Sequence, residues 1–159
     1  MTLNLTQKER MLLEDQKSHE ELCIKKYNDY AGKAQDGQLK QLFASYATKE
    51  QEHLNSINQM LSGQIPQMNQ QQGQQSQQTQ QGMTQASGQN TSFMSKSDSD
   101  LCHDMLMVEK YVSGAYDTAI FEMSNKNTRD VLNHIQKEEQ QHGEGLYNYM
   151  NSNGMYNAK

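Results

Sequence analysis

The sequence superimposes on itself when its first part is shifted by 89 positions: Glu20 falls on Glu109, Tyr27 on Tyr116, Glu50 on Glu139 and His53 on His142. The surrounding apolar residues agree in character, Leu42 with Val131, Phe43 with Leu132, Tyr46 with Ile135 and Ile57 with Leu146. An internal repeat of this kind restricts the chain to folds that use one supersecondary unit twice. The unit reads as a helical hairpin. In the first copy Leu12, Leu13, Cys23, Ile24, Tyr27, Ala31 and Ala34 recur at three- and four-residue steps, and Thr6 with Glu9 makes a capping-box start. After "QDG" at 35–37 a second stripe runs through Leu39, Leu42, Phe43, Tyr46, Leu54, Ile57, Met60 and Leu61 and ends at Gly63 and Pro66. The second copy carries Leu101, Met105, Val108, Val112, Tyr116, Ala119, Ile120 and Met123, then, past "NKN" at 125–127, Val131, Leu132, Ile135, Leu146 and Met150.

Between the hairpins, residues 64–92 hold thirteen glutamines and only Ile65, Met68, Met83 and Ala86 as apolar side chains. Such a segment cannot build a core and reads as a flexible spacer. It is long enough to cross a helix of roughly 25 residues, about 40 Å. The expected organisation is therefore a first hairpin over 5–62, a Gln-rich crossover linker over 63–96, a second hairpin over 97–153 and a tail over 154–159. The hairpins together make one all-α four-helix bundle with a long crossover. The same pattern is compatible with a homo-oligomer in which two chains exchange hairpins.

Composition narrows the partners. The formal charge is -5, from 19 acidic and 14 basic residues, with no stripe of Lys and Arg suited to phosphates, so nucleic acid is not expected. The N-terminal "MTLNLTQKERMLLEDQK" becomes charged before an apolar signal region can form, and no window is long and apolar enough for membrane insertion. Synthesis in the cytoplasm is the expectation. Cys23 and Cys102 form no multi-cysteine pattern, and under the shift they align with Val112 and Leu13, which suggests burial as small apolar side chains. His19, His103 and His134 have no histidine counterpart and read as surface or edge residues.

Glu50 and His53 lie in the series 39, 42, 43, 46, 50, 53, 54, 57, and Glu139 and His142 in the series 128, 131, 132, 135, 139, 142, 146. Both pairs face the apolar side of their helices. Neighbouring Glu52 and Glu138 leave that side and read as solvated surface charges. Glu20 and Glu50 are equidistant from the first turn, and Glu109 and Glu139 from the second, so all four glutamates should converge when the hairpins pack. Crowded buried carboxylates repel one another and lose hydration, and they require protons or cations to remain there. Two divalent ions would balance four negative charges. One Glu from each of two helices plus Glu-x-x-His from each of the other two is the donor set of ferritin-like di-iron and di-manganese bundles. The expected metal residues are Glu20, Glu50, His53, Glu109, Glu139 and His142, with iron or manganese as the ions. Tyr27 and Tyr116 are expected in the core or hydrogen-bonded to a ligand from behind. No catalytic residue is assigned.

The wording of "EELCIKKYNDYAGKAQDGQLKQLF" at 20–43, "VEKYVSGAYDTAIFE" at 108–122 and "VLNHIQKEEQQHGEGLYNYMNSNGMYN" at 131–157 resembles the Coat F family of bacterial spore coat proteins. The resemblance covers both hairpins, omits the linker, and is most specific around Tyr147, Tyr149, Met150, Gly154 and Tyr156. It implies a ferritin-like bundle, production during endospore formation, other spore coat proteins as partners, and a structural place in the spore coat. It does not imply catalysis. A di-iron or di-manganese oxidase, peroxidase or catalase-like enzyme protecting the spore is the alternative, and metal storage a third reading.

Overall fold

The computed structural model describes residues 2–68 and 96–157. Among them are four helices and no strand: α1 Gln7–Lys33, α2 Gly37–Leu61, α3 Lys96–Glu122 and α4 Lys126–Ser152. The Gln-rich segment read as a spacer lies mostly outside the described residues.

Local chemistry fixes the helix ends. Thr6 caps α1 through a reciprocal box: its hydroxyl accepts from Glu9 N, and the Glu9 carboxylate accepts from Thr6 N at 2.7 Å. Asp36 and Asn125 cap α2 and α4 with side-chain oxygens. Helix α2 ends at Ser62, followed by Gly63 at φ 86°, a left-handed conformation that glycine adopts without strain. The Gly63 carbonyl then accepts from Leu3 N at 2.7 Å, which ties the segment before α1 to the end of α2.

Each hairpin packs on itself, and the hairpins meet through α1 against α3 and α2 against α4. Ion pairs Lys8–Glu122 and Lys26–Asp104 join α1 to α3 at 2.8 and 2.7 Å, which requires the two helices to run antiparallel. The core divides into two apolar clusters. One holds Leu13, Cys23, Ile57, Val112, Val131, Leu132 and Ile135; the other holds Tyr27, Leu39, Phe43, Cys102, Met105, Leu146 and Met150. Both cysteines are free and fully buried, and Met60, Met105, Met123 and Met150 are core residues. His103 and His134 are exposed and His19 is half-buried against the edge of Tyr111.

Positions 89 apart play equivalent parts. Near the start of α1, Glu9 accepts from the backbone N and the hydroxyl of Ser124, both at 2.8 Å, in the turn of the second hairpin. Near the start of α3, Asp98 accepts from the backbone N of Gln35 and Asp36, at 2.9 and 3.0 Å, in the turn of the first. The acid of each hairpin thus ties down the turn of the other.

Candidate metal centre

The middle of each helix turns one acidic side chain into the core: Glu20 from α1, Glu50 from α2, Glu109 from α3 and Glu139 from α4, none more than 2 % exposed. His53 and His142, almost a turn beyond Glu50 and Glu139, are buried with them. Donor atoms of Glu20, Glu50, His53 and Glu139 lie within 4.8 Å of one another, and so do those of Glu50, Glu109, Glu139 and His142. Glu50 and Glu139 belong to both groups. The six residues therefore form one cluster with two overlapping centres between the two apolar clusters.

Both imidazoles aim Nδ1 inward. His53 Nδ1 lies 3.0 Å from Glu50, 3.3 Å from Glu139 and 3.7 Å from Glu20. His142 Nδ1 lies 3.2 Å from Glu50, 3.3 Å from Glu109 and 3.5 Å from Glu139. Tyr27 and Tyr116 are fully buried and donate to Oε1 of Glu109 and Glu20, respectively. Each tyrosine therefore crosses to the lone glutamate of the other hairpin, rather than bonding the one seven residues before it, because α1 and α3 run antiparallel side by side.

The outer sides of the two histidines differ. His53 Nε2 is 2.8 Å from Glu138 Oε2. Glu138 was expected at the surface as a solvated charge. Instead it is half-buried between α2 and α4, where His53 and Lys49 hold its carboxyl down to about 2 against the opposing effect of burial. Glu52 remains exposed and pairs with Lys49. The counterpart of Glu138 is Lys49, which does not serve His142 in the same way. The His142 ring is covered by Tyr46 instead, with centroids 4.2 Å apart and planes inclined by 28°. Tyr46 can lie there because residue 145 is glycine: a Cβ on Gly145 would stand 1.8 Å from the Tyr46 hydroxyl. Glu138 carries no signal in the apolar periodicity. Gly145 does, since a glycine within a helix costs about 1 kcal/mol against alanine and often marks a close approach.

Protons stabilise the crowded carboxylates. Burial, reinforced by repulsion from Glu139 and Glu50, raises Glu20 well above the usual carboxylate range. Burial and contact with Glu139 raise Glu109 to about 8. Burial would raise Glu50 and Glu139 too, but hydrogen bonding outweighs it: from His142 and His53 at Glu50, and from Glu109 and both histidines at Glu139. The surrounding carboxyl groups overcome the burial of the histidines, raising His142 to about 11 and His53 well above its ordinary value. Protons within the cluster therefore favour Glu20, Glu109 and the two imidazoles over Glu50 and Glu139.

The donor atoms fit divalent cations. Glu20 Oε2, Glu109 Oε2 and both Glu139 oxygens are buried without a hydrogen bond of good geometry, the imidazole contacts to Glu139 being long or poorly aligned, an expensive state for polar atoms. Two grooves approach the cluster. One, of about 340 Å³ between α2 and α4, is lined by Lys49, Glu52, His53, His134 and Glu138. The other, of about 360 Å³ between α3 and α4, is lined by Leu106, Glu109, Ser113, Glu139 and Gly143. No described helix is long and apolar enough to cross a membrane.

No match was found among curated proteins or among solved structures. Residues 97–159, which comprise nearly all of α3 and the whole of α4, match the family model of the Coat F domain.

Proposed function

We propose that the chain is a structural component of the bacterial endospore coat, built on a ferritin-like bundle that holds a dinuclear iron or manganese site. In this reading two hairpins, 5–62 and 97–153, arose by duplication, 63–96 is the crossover that joins them and 154–159 is a tail. Coat membership rests on the Coat F match. The metal reading rests on one observation, the convergence of four buried glutamates and two buried histidines into groups that share Glu50 and Glu139. Glu20 and His53 would complete the donor set of one ion, Glu109 and His142 that of the other, with Glu50 and Glu139 common to both. Carboxylate and imidazole donors in these proportions suit iron and manganese.

The chain's own residues prepare the site. Tyr27 and Tyr116 orient Glu109 and Glu20 from behind, Glu138 holds the His53 ring with Nδ1 inward, and Tyr46 covers His142. An ion pair there would cross-link all four helices, and with iron or manganese it could also exchange electrons with oxygen species. The α3–α4 groove reaching Glu109 and Glu139 favours the second reading, a dinuclear oxidoreductase protecting the spore. Assembly among other coat proteins follows from the family, and delivery to the coat from the cytoplasm of the sporulating cell follows with it.

Thermal melting tests the metal reading. An ion at a hundred times its dissociation constant stabilises the folded state by about 2.7 kcal/mol per site. Iron(II) or manganese(II) should raise the wild-type melting temperature and chelator should reverse the gain. The double substitution Glu50→Gln with Glu139→Gln should abolish most of it. An equal shift in the variant would place binding elsewhere, and no shift in either protein would leave the structural role alone. Turnover of peroxide or oxygen by the loaded protein separates the enzyme from the purely structural component.

A further inference from the structure

The two halves close unequally around the site. Between α3 and α4 the groove walls are Leu106, Lys110, Ser113, Gln140 and Gly143, and its floor includes Glu109 and Glu139. By the 89-residue correspondence, the matching positions between α1 and α2 are Ile24, for Ser113, and Leu54, for Gly143, both branched and half-buried. The α1–α2 pair is also the more extensively packed of the two hairpins. A Cβ placed on Gly143 would meet only Leu106 Cδ1, at 3.8 Å, an ordinary contact, so the groove is open at this point rather than closed by backbone. At its floor, Glu109 Oε2 and both oxygens of Glu139 are buried without a hydrogen bond of good geometry, in residues only 2 % and 1 % exposed.

We infer that the α3–α4 groove is the entry by which a small uncharged ligand, of the size of dioxygen or hydrogen peroxide, reaches the Glu109–Glu139 face of the dinuclear site. The inference rests on the metal reading given above. The groove's composition selects the ligand class. The surface it exposes is mainly apolar although Lys110 and Gln140 stand in its walls, so a hydrated ion of either sign would lose water there without replacement. The α2–α4 groove, with Glu52, Glu138 and His134, offers cations a polar route to the other side. Ser113 and Gly143 set the bore.

The other hairpin supplies the design of the plug. Ser113→Ile with Gly143→Leu gives these two positions the residues found at their counterparts in the first hairpin, and neither substitution replaces a proposed ligand. Gly143→Ala is the control, because a methyl fits at ordinary contact and leaves the bore open. The probe is nitric oxide, an uncharged diatomic that ligates iron(II) and changes its visible absorption. Wild type, the double variant and the control are loaded anaerobically with iron(II), their iron content is measured, and nitric oxide binding is followed by stopped flow. The expected result is unchanged iron content with binding slowed by at least about tenfold in the double variant alone. Equal rates in wild type and double variant at equal iron content would overturn the entry route. Wild-type protein that holds no iron would overturn the metal reading and this inference with it.

Discussion

Gly145 and Tyr46 show how one missing side chain shapes the site. Alanine in place of glycine normally strengthens a helix by about 1 kcal/mol. At position 145 the added methyl would stand 1.8 Å from the Tyr46 hydroxyl, so Tyr46 must leave its place over His142. Gly145→Ala should therefore lower stability by about 1–3 kcal/mol, the usual cost of overpacking, and should shift the His142 ring resonances as the stacked ring departs. A higher melting temperature in this variant would show that Tyr46 moves freely. Glu138 acts on the other histidine. Replacement by alanine frees Nε2 of His53, and iron(II) or manganese(II) affinity, read by calorimetry, should fall by about 10- to 100-fold. Unchanged affinity would reduce Glu138 to a surface partner of Lys49.

Among the elements, the reciprocal ties between helix starts and turns hold the hairpins in register. Glu9 is 3 % exposed and accepts from Thr6 N and from the backbone and hydroxyl of Ser124. Burial opposes its ionisation, but these hydrogen bonds win and hold its carboxyl down to about 2, from an ordinary 4.5. A depressed pKa stabilises the folded state above the unfolded value and loses that contribution as pH falls from about 4.5 toward 2. Glu9→Gln should therefore cost about 1–3 kcal/mol at neutral pH, by chemical denaturation, and should flatten the loss of stability over that acid range. A parallel acid profile in wild type and variant would contradict this role. These elements were largely legible in the sequence. The apolar stripes, the Thr6–Glu9 box and the two turns needed only the helical period and local capping chemistry. The convergence of the six site residues was legible too, because the identities 89 positions apart and the equal distances from each turn supply long-range information that periodicity lacks. What was not legible depends on which helices become neighbours. Glu138 lies off the apolar stripe, and its burial is decided by the approach of α2 to α4. The crossing of Tyr27 to Glu109 and Tyr116 to Glu20 is decided by the antiparallel contact of α1 with α3.

Across the whole molecule the six site residues form a buried polar layer between two apolar clusters, and its charge must be balanced. The metal-free bundle brings that layer toward neutrality with protons, which Glu20, Glu109, His53 and His142 hold in preference to Glu50 and Glu139. Two divalent ions preserve neutrality only if all four carboxyl groups are ionised and both imidazoles are neutral. Loading must then expel protons, from the raised carboxyl groups of Glu20 and Glu109 and from the two histidines. The direct test is calorimetric titration with manganese(II) in buffers of differing ionisation enthalpy, which counts ions and protons together. The expected result is two ions bound per chain with net release of protons. Saturation at two ions with no proton release would contradict it, as would no binding at all.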